Sequence, residues 1–402
     1  MKISLCMIVK NEALHLERCL QSVQGLTSEI WVADTGSQDH TQEIARCFTP
    51  HVWQIPWNNH FGEARNHSIA QATGDWILIL DADEWLTEET RKGLPFFLAQ
   101  QDPIVPKVFN FLAHTPGEVP LFTRALFPNL TGFAFKGRVH ETLRWHGALP
   151  EHIHCPQWVI GHEPGDLAVR KRKAATYLPL IEAELAGDLN PQEQADYYYH
   201  AGQSQSLLEN PEQALAAYKK AYRAFHQAGL PPQDLFYEQL LRALTPLSLE
   251  VKQDLARALG YAKEYVQIHP QQAWARYFKA YCHFLLEQIS LALTELEAFK
   301  RCPQTQELTL NAQWLEARCL FLNGDSTASL QLFAKVCHHL PALGEVHLHW
   351  ARALFCQEQK QKALAVLSPF LTGPLQATQL KAFLLKHTDW TNAERKQLAK
   401  SN

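Results

Sequence analysis

Hydrophobic positions come first in a short unbroken run, Ile3–Val9. Past the polar pair Asn11-Glu12 they recur at helical spacing: Ala13, Leu14, Leu16, Cys19, Leu20 and Val23. A β-branched run followed by a 3.6-residue apolar period predicts strand, loop and helix. The pattern then repeats. Ile30–Ala33 predicts a second strand ending at Asp34-Thr35-Gly36-Ser37-Gln38-Asp39, and Thr41–Phe48 a helix capped by the polar residues before it. Val52–Ile55 reads as a third strand, and the stretch from about Ala64 to Ala72 as a helix stopped by Thr73-Gly74-Asp75. Trp76–Leu80 is a fourth apolar strand, broken by Asp81. Strands alternating with helices in this way predict a mainly parallel α/β sheet. Between about 105 and 162 the short apolar runs Val105–Phe111, Leu121–Phe127 and Trp158–Ile160, separated by Gly and Pro, predict a mixed-sheet half with long loops.

After Asp166 glycine becomes rare and a helix is expected from about Leu167. Further on, small residues recur in pairs twelve apart: Gly202 with Ala214, Ala280 with Ala292, Ala317 with Ser329, and Ala351 with Ala363. The last three pairs are offset by 37 and 34 residues. Small residues at a period near 34, where paired helices touch, resemble the tetratricopeptide pattern. The Pro and first-helix Trp of that pattern are missing from most units, so a generic α-solenoid is the other reading. Such arrays commonly hold an extended peptide; self-association, or support of the first domain, is the alternative.

Composition narrows the function classes. Hydrophobic residues make up 46% of the 402, and the net charge of −4 gives little electrostatic support for nucleic-acid binding. The charge is unevenly placed: up to residue 165 there are 12 Lys and Arg against 18 Asp and Glu, beyond it 25 against 23. Nine widely spaced cysteines without a Cys-x-x-Cys pair read as reduced thiols of a cytoplasmic protein. No run of about 20 apolar residues exists to span a bilayer, and no secretion signal is expected from the N-terminus.

The candidate chemistry sits at strand ends. Asp81-Ala82-Asp83-Glu84 follows the apolar run 77–80 directly, at the edge where open α/β sheets bind ligands. Asp81 and Asp83 lie on one side of an extended segment, so one can grip a hard divalent cation while the other bonds a ribose or water. Asp34 ends a second strand and can accept a nucleobase N–H; it and Asp39 can equally be turn and cap residues. Arg65 at a helix start suits a diphosphate, unless it is an ordinary surface arginine.

The segments 6–12, 33–41, 64–66 and 74–84, Cys-Met-Ile-Val-Lys-Asn-Glu, Ala-Asp-Thr-Gly-Ser-Gln-Asp-His-Thr, Ala-Arg-Asn and Gly-Asp-Trp-Ile-Leu-Ile-Leu-Asp-Ala-Asp-Glu, occur in the order and spacing of the family 2 glycosyltransferases. The chain resembles the subgroup in which a short transferase domain is fused to tetratricopeptide repeats, similar to bacterial enzymes that glycosylate peptides. Over the first domain it is also similar to lipopolysaccharide-core glucosyltransferases. The resemblance implies a GT-A fold, a nucleotide-diphospho-sugar donor, expected to be a UDP-sugar, a Mn²⁺ or Mg²⁺ cofactor, and inversion at the anomeric carbon. It implies Asp34 on the base, Asp81 on the ribose, Asp83 on the metal, Arg65 on the nucleotide or its phosphates, and Glu12 beside the nucleotide. Gly137-Arg138-Val139-His140-Glu141 resembles the segment whose last acid is the catalytic base, and His162 the histidine that completes the metal site. A surface Glu141 and a structural His162 are the alternatives.

The expected organisation is a GT-A domain over 1–165, a linker helix over 166–190 and tetratricopeptide-like repeats over 191–402. The expected activity is single-sugar transfer to a peptide or protein held by the repeats, with homo-oligomerisation through the repeats a further expectation. A lipid-linked or lipopolysaccharide-core acceptor, or a catalytically inactive repeat scaffold, are the rivals.

Overall fold

The computed structural model describes residues 2–401 apart from 116–120, 164, 233–234, 253, 304, 340–343, 371–375, 377 and 387–389. The chain forms two compact units, Met1–Asn210 and Pro211–Asn402.

In the first unit β1 (Ile3–Val9), α1 (Leu16–Ser22), β2 (Glu29–Asp34), α2 (Thr41–Arg46), β3 (Val52–Gln54), α3 (Phe61–Ile69) and β4 (Trp76–Ile79) follow the predicted alternation. There follow β5 (Glu84–Leu86), α4 (Glu88–Leu98), β6 (Lys107–His114), β7 (Leu121–Pro128), β8 (Phe133–Lys136), β9 (Thr142–Trp145) and β10 (Glu151–His162). Helices α5 (Leu167–Leu185) and α6 (Pro191–Leu207) complete it. Eight strands form one sheet in the order β3-β2-β1-β4-β7-β6-β10-β5, and β8 pairs with β9 as a separate hairpin. β1 runs parallel to β2 and β4, and β2 to β3. β7 is antiparallel to both β4 and β6, which makes the second half mixed, as the sequence predicts. This is the GT-A-like α/β arrangement.

All four residues of β4 are buried, as befits a strand covered on both faces. The predicted face of α1 is the buried one, Leu16, Cys19, Leu20 and Val23 packing with Leu5, Met7 and Leu78. The helix starts at Leu16, not at Ala13, and leaves Leu14 85% exposed.

The second unit is entirely helical among the described residues: α7 (Pro211–Gln227), α8 (Leu235–Lys252), α9 (Leu255–Ile268), α10 (Ala273–Leu285), α11 (Ile289–Phe299), α12 (Gln306–Leu322), α13 (Ser326–His339), α14 (Gly344–Cys356), α15 (Lys360–Leu367), a 3-10 turn, α16 (Leu380–Leu385) and α17 (Asn392–Lys400). Each helix from α7 to α14 packs on its successor. The small-residue pairs face each other across these contacts: Ala280 and Ala292 share one core, Ala351 and Ala363 another, and the Ser329 hydroxyl donates to the Ala317 carbonyl at 2.7 Å. Seven residues after each first small residue the chain turns through positive φ, at Glu287 (59°), Gly324 (94°) and Glu358 (59°). A left-handed residue stops the first helix of the pair and sends the chain into the second. The region is a tetratricopeptide-like array.

Its end is locked by a buried ion cluster. Arg318 of α12 holds both oxygens of Glu394 in α17, with Nε at 3.0 Å and Nη2 at 2.8 Å, and Arg352 of α14 adds a bond at 3.1 Å. Neutral His349, its pKa pushed down to about 3 by burial and by Arg318, lies 3.4 Å from the same carboxylate. Burial works against ionisation of Glu394, but His349, Arg352 and Arg318 together hold its carboxyl well below the usual range.

Candidate active site

The carboxyl ends of β1 and β4 open into a cavity of about 720 Å³, lined by Glu12, Arg65, Asp81, Asp83, Glu141 and His162 among others. Six of the seven site residues expected from the sequence are thus brought together. Asp34 is not on the wall; its neighbour Thr35 is. The Asp34 side chain lies beneath, wholly buried, with Oδ1 accepting from the N–H groups of Gly36 and Ser37 at 2.8 Å each. Gly36 has φ 105°, a conformation only glycine takes readily. The turn-forming role considered for Asp34 is therefore present, while its Oδ2 is buried without a hydrogen-bond partner.

The β1 and β2 loops are stitched together around this turn. Asn11 donates its N–H to Ser37 Oγ at 2.9 Å and accepts from Gln38 N–H at 2.7 Å. Glu12 N–H donates to Thr41 Oγ1 at 2.7 Å, and Asp39, in its capping role, accepts from Ala13 and Thr41. Glu12 is thereby fixed beside the acids of β4. Its pKa is pushed up to about 7 by burial and then by Asp83, Asp81 and Asp39, with Lys173 opposing. Glu84, which accepts the Asp81 N–H at 2.9 Å, is also pushed up, by burial and by Asp81. Carboxylates crowded enough to resist ionising create a demand for positive charge.

Arg65 meets part of that demand. Its Nε donates to Glu141 Oε1 at 2.6 Å and its Nη2 to Asp81 Oδ1 at 2.8 Å. Burial disfavours the guanidinium charge, but Asp81 and Glu141 outweigh it and hold the group protonated. Arg65 therefore bridges two acids of the cavity and partly offsets the acidic cluster, as its helix-start position near the strand edge suggests. The same helix start anchors the segment bearing Glu141: Phe61 N–H donates to the Arg138 carbonyl at 2.8 Å and Gly62 N–H to the Gly137 carbonyl at 3.1 Å. A Cβ on Gly62 would lie 2.7 Å from that Gly137 oxygen, so this close approach requires glycine.

Asp83 and His162 face each other, Oδ2 to Nε2 at 3.7 Å. His162 Nδ1 is within 2.9 Å of Thr115 Oγ1, which sets the ring's orientation. Mutual attraction lowers the Asp83 pKa against the effect of burial and raises that of His162. A hard carboxylate oxygen and an imidazole nitrogen are suitable ligands for Mn²⁺, and two bonds of about 2.1 Å can bridge this gap. Among the described residues no third His, Cys, Asp or Glu joins them, so the set fits a cation that also takes ligand or water oxygens.

Several wall residues come from α5 and α6 and were not singled out from the sequence. Lys173 Nζ lies 3.5 Å from Asp83 Oδ2. Tyr177 packs edge-on against Phe61 and His140. His140, at φ 51°, stacks face to face on His200 at 3.5 Å; burial pushes the His200 pKa down to about 4, so that ring is neutral. Lys136 and Arg144 both pair with Glu193. Lys173 belongs to the basic run 170–173, the dense Lys/Arg block of the sequence.

The family model described as Glycosyl transferase family 2 matches residues 4–177. A TPR repeat-containing protein of Synechococcus elongatus is 41% identical over 141 residues, 35% of each chain. The SPbeta prophage-derived glycosyltransferase SunS of Bacillus subtilis is 30% identical over 236 residues, 54% of this chain and 53% of that one. The chain thus spans about a third to a half of the length of these relatives. Among solved structures, a tetratricopeptide repeat protein from Parabacteroides merdae overlaps with a TM-score of 0.42 at 16% identity, over 57% of this chain and 85% of that chain. The chain carries an N-terminal family 2 glycosyltransferase-like domain followed by a C-terminal, all-helical, tetratricopeptide-like repeat region.

Proposed function

We propose that the protein is a glycosyltransferase that moves one sugar from a nucleotide-diphospho-sugar to an acceptor with inversion, using Mn²⁺ or Mg²⁺. The observation that carries this reading is the convergence of Glu12, Arg65, Asp81, Asp83, Glu141 and His162 on one cavity at the carboxyl ends of β1 and β4. In this reading Asp81 bonds the ribose and Glu12 lies beside the nucleotide, both lining the cavity next to the turn that Asp34 closes. Glu141 accepts the proton of the acceptor nucleophile as that nucleophile bonds to C1 of the sugar. The C1–O bond to the diphosphate breaks, and its electron pair leaves on the diphosphate oxygen. Arg65 holds the Glu141 carboxylate in position throughout. Asp83 and His162 would hold the cation, which when bound offsets charge on the leaving diphosphate.

The acceptor we favour is a peptide or protein, because helical repeat arrays commonly take extended chains. A membrane-borne acceptor has less support: Lys171 pairs with Glu209 and Lys173 with Asp83, so the basic run is partly occupied internally. Among the described residues no helix is long and apolar enough to cross a membrane. A cytoplasmic, reducing setting is supported by nine free cysteines.

Thermal-shift measurement against UDP-, GDP- and CMP-sugars with Mn²⁺ or Mg²⁺ tests the donor. We expect one nucleotide class to stabilise the protein, and Asp83→Ala to abolish metal-stimulated turnover with the donor so found. Glu141→Gln should still bind donor but not transfer it. Stabilisation by no donor, together with no hydrolysis of any of them, would favour the inactive-scaffold reading.

A further inference from the structure

Helix α5 carries Arg170, Lys171, Arg172 and Lys173 in its first half, where cations oppose the helix dipole. Their location is therefore not explained by the stability of α5. Lys171 turns outward to Glu209. Lys173 reaches into the cleft, 3.5 Å from the Asp83 oxygen that also faces His162, and its charge is felt by Glu12 as well. Its ammonium thus contacts the carboxylate oxygen best placed to hold a divalent cation. Two cations cannot share that oxygen cheaply, because their mutual repulsion in a half-buried cleft is large.

Three other basic groups of the cavity wall are held by different carboxylates. Arg65 is buried, with Nε and Nη2 engaged by Glu141 and Asp81, and Lys136 and Arg144 share Glu193. Lys173 has a side chain that is 45% exposed, on a flexible four-carbon stem, and can swing.

We propose that Lys173 is an exchangeable cation of the donor site: it pairs with Asp83 in the empty cleft and, when metal and donor load, releases Asp83 and moves onto the diphosphate. This rests on the reading of the cleft as a nucleotide-diphospho-sugar site. Lys173 then disfavours metal binding to the empty protein and favours diphosphate binding, so metal and nucleotide load together.

The test compares wild type, Lys173→Met, Lys173→Arg and, as a control on the same helix outside the cavity, Lys171→Met. Mn²⁺ alone is titrated by the electron-paramagnetic signal of the free ion, and UDP and GDP by calorimetry with and without metal. Lys173→Met should bind Mn²⁺ alone about three- to fivefold tighter than wild type and the nucleoside diphosphate about three- to fivefold more weakly in metal-free buffer, the order expected for one partly exposed ion pair. Lys173→Arg should keep the nucleotide affinity, and Lys171→Met the wild-type Mn²⁺ affinity. Equal Mn²⁺ affinity in wild type and Lys173→Met, or undiminished nucleotide affinity in Lys173→Met, overturns the exchange alone. A wild-type protein that binds neither nucleotide under any condition overturns the donor-site reading itself, and the exchange with it.

Discussion

Arg65 and Glu141, 76 residues apart, meet at 2.6 Å with both side chains buried. The bond ties the start of α3 to the loop between β8 and β9, and Arg65 extends the tie to Asp81 after β4. Arg65→Met removes the buried guanidinium that both Glu141 and Asp81 bond, costing about 3–5 kcal/mol. Arg65→Lys keeps the charge but cannot reproduce the two-pronged contact, so it should lose turnover while losing less stability. Melting temperature and kcat measured on both variants check this; if both melt and turn over like wild type, the bridge is incidental.

Gly62→Ala places a methyl group against the Gly137 carbonyl. Backbone cannot yield as a flexible side chain does, so the 137–141 segment should shift at a cost of about 1–3 kcal/mol. Transfer should fall more than donor affinity, because Glu141 moves while Asp81 and Asp83 stay in the segment that follows β4. An unchanged kcat would mean that this contact does not position the base.

Acid should weaken the helical unit through Glu394. Its carboxyl is held well below the usual value in the folded state, so the stability it contributes is present above about pH 4.5 and is lost as pH falls toward its folded pKa. Glu394→Gln should cost about 3–5 kcal/mol at pH 7, since two guanidinium groups lose their counter-ion. The gap between variant and wild type should narrow as pH falls below about 4, as urea-unfolding midpoints followed by circular dichroism would show. A pH-independent gap would contradict the ion-pair account.

The left-handed turns predict opposite effects from paired substitutions. Glu358 adopts φ 59° with a side chain, so Glu358→Gly should stabilise the unit by about 1 kcal/mol. Gly324→Ala, at φ 94°, should destabilise it by a similar or larger amount. Thermal melts of the full chain decide the signs.

Much of this was legible along the chain because it is local. The runs Ile3–Val9 and Trp76–Leu80 announce buried parallel strands, and the acids that follow them inherit the ligand edge of the sheet. Small residues at equal intervals mark helix crossings because only they let backbones approach. The expected strand at Trp158–Ile160 is the last part of the twelve-residue β10, whose first half alternates poorly and is mostly exposed. The short β5 and the β8–β9 hairpin have too few residues to establish a period. The Arg65 bridge and the approach of Lys173 to Asp83 join residues 76 and 90 positions apart, and no local pattern records such meetings. Lys171 and Lys173 are chemically alike in sequence; only the direction each takes from α5 separates a surface ion pair from a cleft residue.

The Glu394 cluster changes how the repeat region should come apart. A repeat array held only by neighbour contacts can fray from its end, one hairpin at a time, with each loss costing a single interface. Here α17 folds back on α12, α14 and α16, and its carboxylate is the counter-charge for arginines in two of them. Detaching the last helix strands both guanidinium groups in a dry interior beside Trp314, Phe321 and Trp390. The hairpins from α12 onward therefore gain or lose structure as one block, giving this end of the array a single sharp transition in place of graded fraying.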